Sequence, residues 1–238
     1  MRVFVLNAVG VLGLLLVGAS GAQAQIQTNQ VYSQYQTYNQ SFWNIENARA
    51  SAELRRKYGA QDDSEARGRR LIKTGRATTR FLNTPSLVDG WMKSGMKFKT
   101  GAEERQFWTD YATQKQLWAQ EARTRGADLS DMADAYALTM VMCHDAYTGR
   151  KTGRAAFRSM RAVFARAFLS SPDFQGRSAI SKQRFYASAM LKGSFVRFSR
   201  SIGQVEAART SAREWMDKWW TTDTPGVVKT LAADVGKE

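Results

Sequence analysis

The sequence holds a single histidine, His144, a single cysteine, Cys143, and only three prolines in 238 residues. One histidine excludes sites that need two imidazoles, such as the H-E-x-x-H helix of a metalloprotease, and one cysteine excludes intrachain disulfides and cysteine-based metal knuckles. The G-x-x-x-x-G-K-[ST] spacing of a Walker loop is missing as well. No metal and no cofactor is therefore expected. Acidic residues are also scarce: 21 Asp and Glu face 35 Lys and Arg, a formal net charge of +14 at pH 7. Hydrophobic residues make up 43% of the chain. That is enough for one core, because a domain of this size buries about 70% of its unfolded surface without disulfide help.

What is present begins with a targeting pattern. Arg2 gives a positive start, VFVLNAVGVLGLLLVG is a short run with no charge, and Ala22-Gln23-Ala24 is the small-x-small pattern that a signal peptidase reads. Residues 1–24 are expected to be a signal peptide cleaved before Gln25. The alternative is a retained anchor, but the run falls short of the ~20 residues that span a bilayer. No cysteine follows the run to carry a lipid, and no later stretch is apolar enough to cross a membrane. These features predict an exported protein, periplasmic or secreted. Residues 25–41 form a Gln/Asn/Tyr-rich leader without a charged side chain. Such a composition buries too little apolar surface to offset the entropy of ordering. Its Tyr32, Tyr35 and Tyr38 offer a contact for a protein partner, and a solvated spacer is the reading that the composition favours.

Residues 42–238 read as one helical domain. The periodicity predicts helices over about 42–58, 66–82 and 100–125, over 128–149, 153–169 and 178–201, and over 204–220, with a short one opened by Thr84-Pro85. Gly59, Gly126 and Gly149 are natural stops. Thr100 and Glu103 have capping-box spacing. The stripe Phe107, Trp108, Tyr111, Trp118 and Ala122 marks a core face, and so does Leu87 with Trp91 beside Val88 and Met92. The helix over 128–149 is apolar on nearly all sides, the signature of a central helix. No period-two strand, hairpin signal or internal repeat is visible. The expected fold is all-α, a single bundle of about six to eight helices. Met132, Tyr136, Met140, Phe157, Phe164, Met190 and Trp215 are predicted to lie in its core.

Along the helix at 128–149 and the following FARAFLSSPDFQGRSAISKQRFYASAMLKG, the chain resembles exported bacterial helical proteins grouped as domains of unknown function. The resemblance implies the fold and carries no catalytic residues with it.

The charge is unevenly placed. Between residues 146 and 205 there are twelve basic residues and one acid, Asp173. At helical spacing Arg150, Arg154, Arg158 and Arg161 fall in one sector, and Arg69, Lys73, Arg76 and Arg80 would form a second row if their segment is helical. A row of this kind is a surface for a polyanion (lipopolysaccharide, acidic glycan, nucleic acid or anionic membrane) or a solubilising face. Within TGRKTGR, residues 148–154, Gly149 and Gly153 let backbone N–H groups converge, Thr152 is placed to cap the next helix, and Arg150, Lys151 and Arg154 add charge. An anion would bind there, although an ordinary interhelical turn uses the same residues.

Cys143 and His144 do not make a nucleophile and base, since adjacent helical side chains diverge by about 100°. Cys143 is expected to be a buried thiol, with an intermolecular disulfide as the alternative, and His144 is expected to meet a core or turn hydrogen bond. Carboxylates are the one remaining catalytic apparatus, because two acids suffice to cleave a glycosidic bond. Glu103, Glu104, Asp128, Asp131 and Asp134 all sit at helix starts, where capping explains them. Trp215, Trp219 and Trp220 could stack on sugars, but Trp215 and Trp219 lie on the predicted core face. The residues thus favour a non-catalytic exported binding or structural protein of the cell envelope. A cell-wall glycan hydrolase is the alternative.

Overall fold

The computed structural model describes residues 64–219, and within them regular structure is helical throughout. The predicted signal peptide, the leader, the helix at 42–58, Gly59 and Trp220 lie outside the described residues. Eight helices follow in order: α1 Ser64–Lys73, α2 Pro85–Gly95, α3 Gly101–Arg125, α4 Met132–Thr148, α5 Arg154–Ser170, α6 Pro172–Gly176, α7 Ala179–Ser201 and α8 Val205–Trp219. The all-α bundle expected from periodicity is what the chain forms.

Local chemistry sets most of the boundaries. At the start of α3 the Thr100 hydroxyl accepts from the Glu103 N–H at 3.1 Å, while the Glu103 carboxylate takes the Thr100 N–H at 3.3 Å. This reciprocal capping box satisfies two amides that the helix cannot pair itself. Gly126 and Gly149 end α3 and α4 at φ 72° and 77°, a conformation that a Cβ would strain. Asp131 caps α4, its Oδ1 accepting from the Ala133 and Asp134 amides.

α4 is the axis of the bundle. It packs against α5, α7 and α8, and α3 packs in turn against α7. Every residue from Met132 to Ala146 is buried, as a helix apolar on all sides requires. Tyr136 sits among Phe164, Phe168 and Trp215, with ring centroids 5.5, 5.2 and 5.9 Å away. All seven residues expected in the core are buried. Where α3 meets α7, Trp118 donates its indole N–H to the Tyr186 hydroxyl at 3.1 Å, and Gly193 makes room for the Trp118 ring and the Thr139 backbone. Outside this core, α1 lies on α6 with Gly68 against the Pro172 carbonyl and Gly176 against the Ser64 carbonyl.

Several boundaries differ from the sequence reading. The helix expected over 66–82 stops at Lys73, and the chain then runs extended so that residues 79–81 pair with residues 130–132. Arg76 and Arg80 therefore leave the helical row proposed with Arg69 and Lys73. Tertiary pairing beside α4 overrides local helical propensity there. In α2, Val88 and Met92 are buried, but Leu87 is 40% exposed. Thr84 precedes the N1 proline as expected, without a side-chain cap. The break at 170–176 contains a helical turn of its own, α6, capped by Ser171.

The packing makes two predictions. Gly193→Ala places a Cβ 2.8 Å from the Trp118 ring and should cost about 1–3 kcal/mol, whereas Gly90→Ala, in open space on α2, should gain up to about 1 kcal/mol. Urea unfolding of the two variants reads the opposite signs. Cys143 is buried and burial pushes its thiol up to about 12, so a thiol reagent at pH 8 should label it only as fast as the protein unfolds. Rapid labelling of the native protein would contradict the burial.

Candidate functional site

α4 and α5 are joined by residues 149–153, and beside this turn α3 and α7 bring a group of charged side chains together. At its centre is Arg125, the last residue of α3 and only 4% exposed. Its Nη2 donates to Asp145 Oδ2 at 2.7 Å, its Nε to Glu121 Oε2 at 3.3 Å, and its Nη1 to the Thr152 carbonyl and hydroxyl at 2.8 and 3.0 Å. Asp145 Oδ1 accepts the Thr152 N–H at 2.8 Å. From α7, Arg197 donates through Nε to Glu121 Oε1 at 3.1 Å, and Arg200 donates to the Asp145 carbonyl at 2.6 Å. Charges are tolerated in such surroundings only when paired and hydrogen-bonded. Here both carboxylates have both oxygens engaged.

A cavity of about 290 Å³ opens next to this network. Its walls are Glu121, Met142, Asp145, Ala146, Gly149, Lys151, Arg197 and Arg200.

The residues of 148–154 fall into two groups. Gly149 and Lys151 reach the cavity, whereas Arg150 is exposed and its backbone N–H donates to the Thr148 hydroxyl at 3.3 Å. Thr152 does not cap α5. It is buried with its hydroxyl given to Arg125, and Gly153, in extended backbone, takes the N-cap position without a side-chain bond. The amide convergence expected at this turn is partly satisfied from within, since Asp145 supplies the negative charge that Thr152 N–H faces. α5 starts at Arg154, so Arg150 lies outside the helical row. Arg154 donates through Nε to the Thr124 carbonyl at 2.8 Å, and Arg158 is exposed. Arg161 points to the other end of α4. Its Nε bonds the Asp134 carboxylate, and its Nη2 lies 3.3 Å from Asp131 Oδ2.

Sequence reasoning missed Glu121, Arg125, Asp145, Arg197 and Arg200. One signal was available: Gln114, Trp118, Glu121 and Arg125 share a helix face at i, i+4, i+7, i+11, and an ion pair that continues an aromatic stripe inward must be paired with something buried. Nothing in the sequence tied that pair to Asp145.

The candidate acids of a hydrolase are occupied. Asp131 accepts from the Ala133 and Asp134 amides, from Thr79 and from Arg161. Asp134 accepts the Asp128 N–H and binds Arg161, while burial holds its carboxyl above the usual carboxylate range against that arginine's pull. Glu103 serves the capping box and Glu104 meets the Trp108 indole at 3.4 Å. His144 is buried with neither ring nitrogen hydrogen-bonded, its Nδ1 lying 3.6 Å from Asp145 Oδ1, so the expected core or turn bond is not made. No group of three or more metal-ligating side chains occurs among the described residues, and none of the described helices is long and apolar enough to cross a membrane.

The model of a family of unknown function, DUF6683, matches residues 5–212, and the chain belongs to that family. The match extends well to the N-terminal side of the segment that carried the resemblance. No curated protein and no solved structure matches the chain.

If the Arg125 network is a structural necessity, Arg125→Met should cost about 3–5 kcal/mol by leaving Asp145 uncompensated, and lower the thermal midpoint by roughly 6–20 °C. Arg158→Met, on the exposed face of α5, should stay within about 0.5 kcal/mol of the parent. Calorimetry of both proteins separates a structural arginine from a surface one.

Proposed function

We propose that this member of a family of unknown function is an exported, non-catalytic binding protein of the cell envelope that holds a polyanion at the turn between α4 and α5. The observation that carries the reading is a division among the cations. Arg125 and Arg161 are spent on buried or half-buried acids, whereas Arg150, Lys151 and Arg158 are exposed and make no ion pair among the described residues. Arg154 is held by a neutral carbonyl and keeps its charge uncompensated. Four cations are thus concentrated within nine residues, next to acids already neutralised by arginine. An extended anion that crosses them releases counterions without having to displace an internal partner.

The signal-like residues 1–24 support the exported setting, and the scarcity of His and Cys supports a binding role. The ligand class is an envelope polyanion such as lipopolysaccharide or an acidic glycan. Nucleic acid and anionic membrane share the same chemistry.

Retention on heparin tests the surface. The protein should elute at a salt concentration that falls markedly in the double variant Arg150→Glu with Arg158→Glu, and its thermal midpoint should be unchanged because neither side chain has a structural partner among the described residues. Apparent affinity should drop steeply between 50 and 200 mM salt, by about tenfold or more for three or four released counterions. Binding indifferent to salt and to both charge reversals would remove this surface from consideration.

A further inference from the structure

The cavity beside the turn has a chemistry of its own. Two of its wall residues, Glu121 and Asp145, are carboxylates whose oxygens already accept from Arg125, Arg197 and the Thr152 amide. Neither has an oxygen left without a donor. Three cations share the same space: Lys151 from the turn, and Arg197 and Arg200 from successive turns of α7. Among the described residues Lys151 makes no ion pair, Arg197 is bonded to Glu121 through Nε, and Arg200 uses one Nη on a carbonyl. Counting Arg125 behind them, four cations face two carboxylates, an excess of two positive charges. Met142 and Ala146 make part of the wall apolar.

We propose that this cavity seats one doubly charged oxyanion, the phosphate group of a monoester, with the ester's organic part lying toward Met142. The claim deepens the polyanion reading above and takes the anionic class of ligand from it. Charge selects the group. A phosphate monoester carries close to two negative charges at pH 7 and three acceptor oxygens, matching the excess charge and the unused guanidinium and ammonium donors. A diester carries one charge and leaves one cation without a partner. Size is consistent, since about 290 Å³ is close to the lower end, about 300 Å³, of pockets that hold small molecules. Preorganisation favours the seat as well, because Glu121 and the Asp145 carbonyl hold the two guanidinium groups in place before any ligand arrives.

Titration calorimetry with phenyl phosphate and dimethyl phosphate on the full chain tests the proposal. Phenyl phosphate should bind, and dimethyl phosphate should bind at least tenfold more weakly. Lys151→Gln, at an exposed position without a structural partner among the described residues, should weaken phenyl phosphate about threefold or more. Adding Arg200→Gln should bring the loss to at least tenfold. Arg166→Gln, at an exposed position further along α5 and outside the cavity wall, should leave phenyl phosphate binding within twofold. Co-sedimentation with phosphatidylcholine vesicles containing one-tenth phosphatidate assigns the source of the group. Retention abolished by the Lys151→Gln and Arg200→Gln pair supports a lipid-borne monoester at this seat, and phenyl phosphate binding without retention supports a soluble one. Absence of phenyl phosphate binding, equal binding of the diester, or indifference to Lys151→Gln overturns the proposal. Heparin retention lost only in the Arg150 and Arg158 variant would persist in that event and leave the wider surface standing. The converse result would spare the cavity alone.

Discussion

Every residue of α4 from Met132 to Ala146 is withdrawn from water, so the carboxylates at its two ends are answered from other elements, while His144 is buried with neither ring nitrogen hydrogen-bonded. Most of the charged architecture follows from this burial. At the N-terminal end Asp131 and Asp134 are answered by Arg161 from α5, by Thr79 from the extended segment, and by amides of their own helix and the preceding turn. At the C-terminal end Asp145 is answered by Arg125 from α3 and the Thr152 amide, and its carbonyl by Arg200 from α7. The helix that forms the apolar axis thereby dictates where three surrounding elements place their arginines. Midway between the two ends, Thr139 turns its hydroxyl to the Ala189 carbonyl at 2.8 Å, the same principle without charge.

This constraint divides the basic excess that the sequence concentrates between residues 146 and 205. Twelve basic residues and one acid between 146 and 205 suggest self-repulsion along a surface. In the fold, acids from earlier in the chain neutralise part of the set: Arg161 meets Asp131 and Asp134, and Arg197 meets Glu121, across 27 to 76 residues of sequence. What remains unpaired is concentrated at the α4–α5 turn and the exposed side of α5.

Features decided within one helical turn were legible in the sequence. The capping box at Thr100 and Glu103, the left-handed glycines at 126 and 149 and the all-round apolarity of α4 each depend on neighbours a few residues away, and each appears as read. Features decided by distant pairing were not legible. The segment at 74–82 has helical periodicity, yet it leaves the helix through a turn at Thr74 and Gly75, and its residues 79–81 pair with residues 130–132 at the N-terminal end of α4. Thr152 has the composition of an N-cap, and its hydroxyl is taken by an arginine 27 residues earlier. Arg161 belonged to the basic row by spacing and left it for the same reason. The family to which the chain belongs, being of unknown function, supplied no residue by which these long-range pairings might have been anticipated.

The burial of α4 also bears on what kind of activity the bundle can host. A catalytic carboxylate needs an oxygen able to exchange a proton with substrate, and Glu121, Asp131, Asp134 and Asp145 have theirs filled by amides, hydroxyls and guanidinium groups that hold helices together. Freeing one for chemistry would unpair a buried arginine or open a helix start, at a cost comparable to breaking a buried ion pair, about 3–5 kcal/mol. The unused binding capacity near these acids is positive and peripheral. It comprises the outward edges of Arg197 and Arg200, whose inner edges are tied to the core, and the side chains of the turn. Of these donors, Arg197 is held in advance by Glu121 and Arg200 by the Asp145 carbonyl, so the proposed anion would meet two guanidinium groups already placed by the contacts that stabilise the fold.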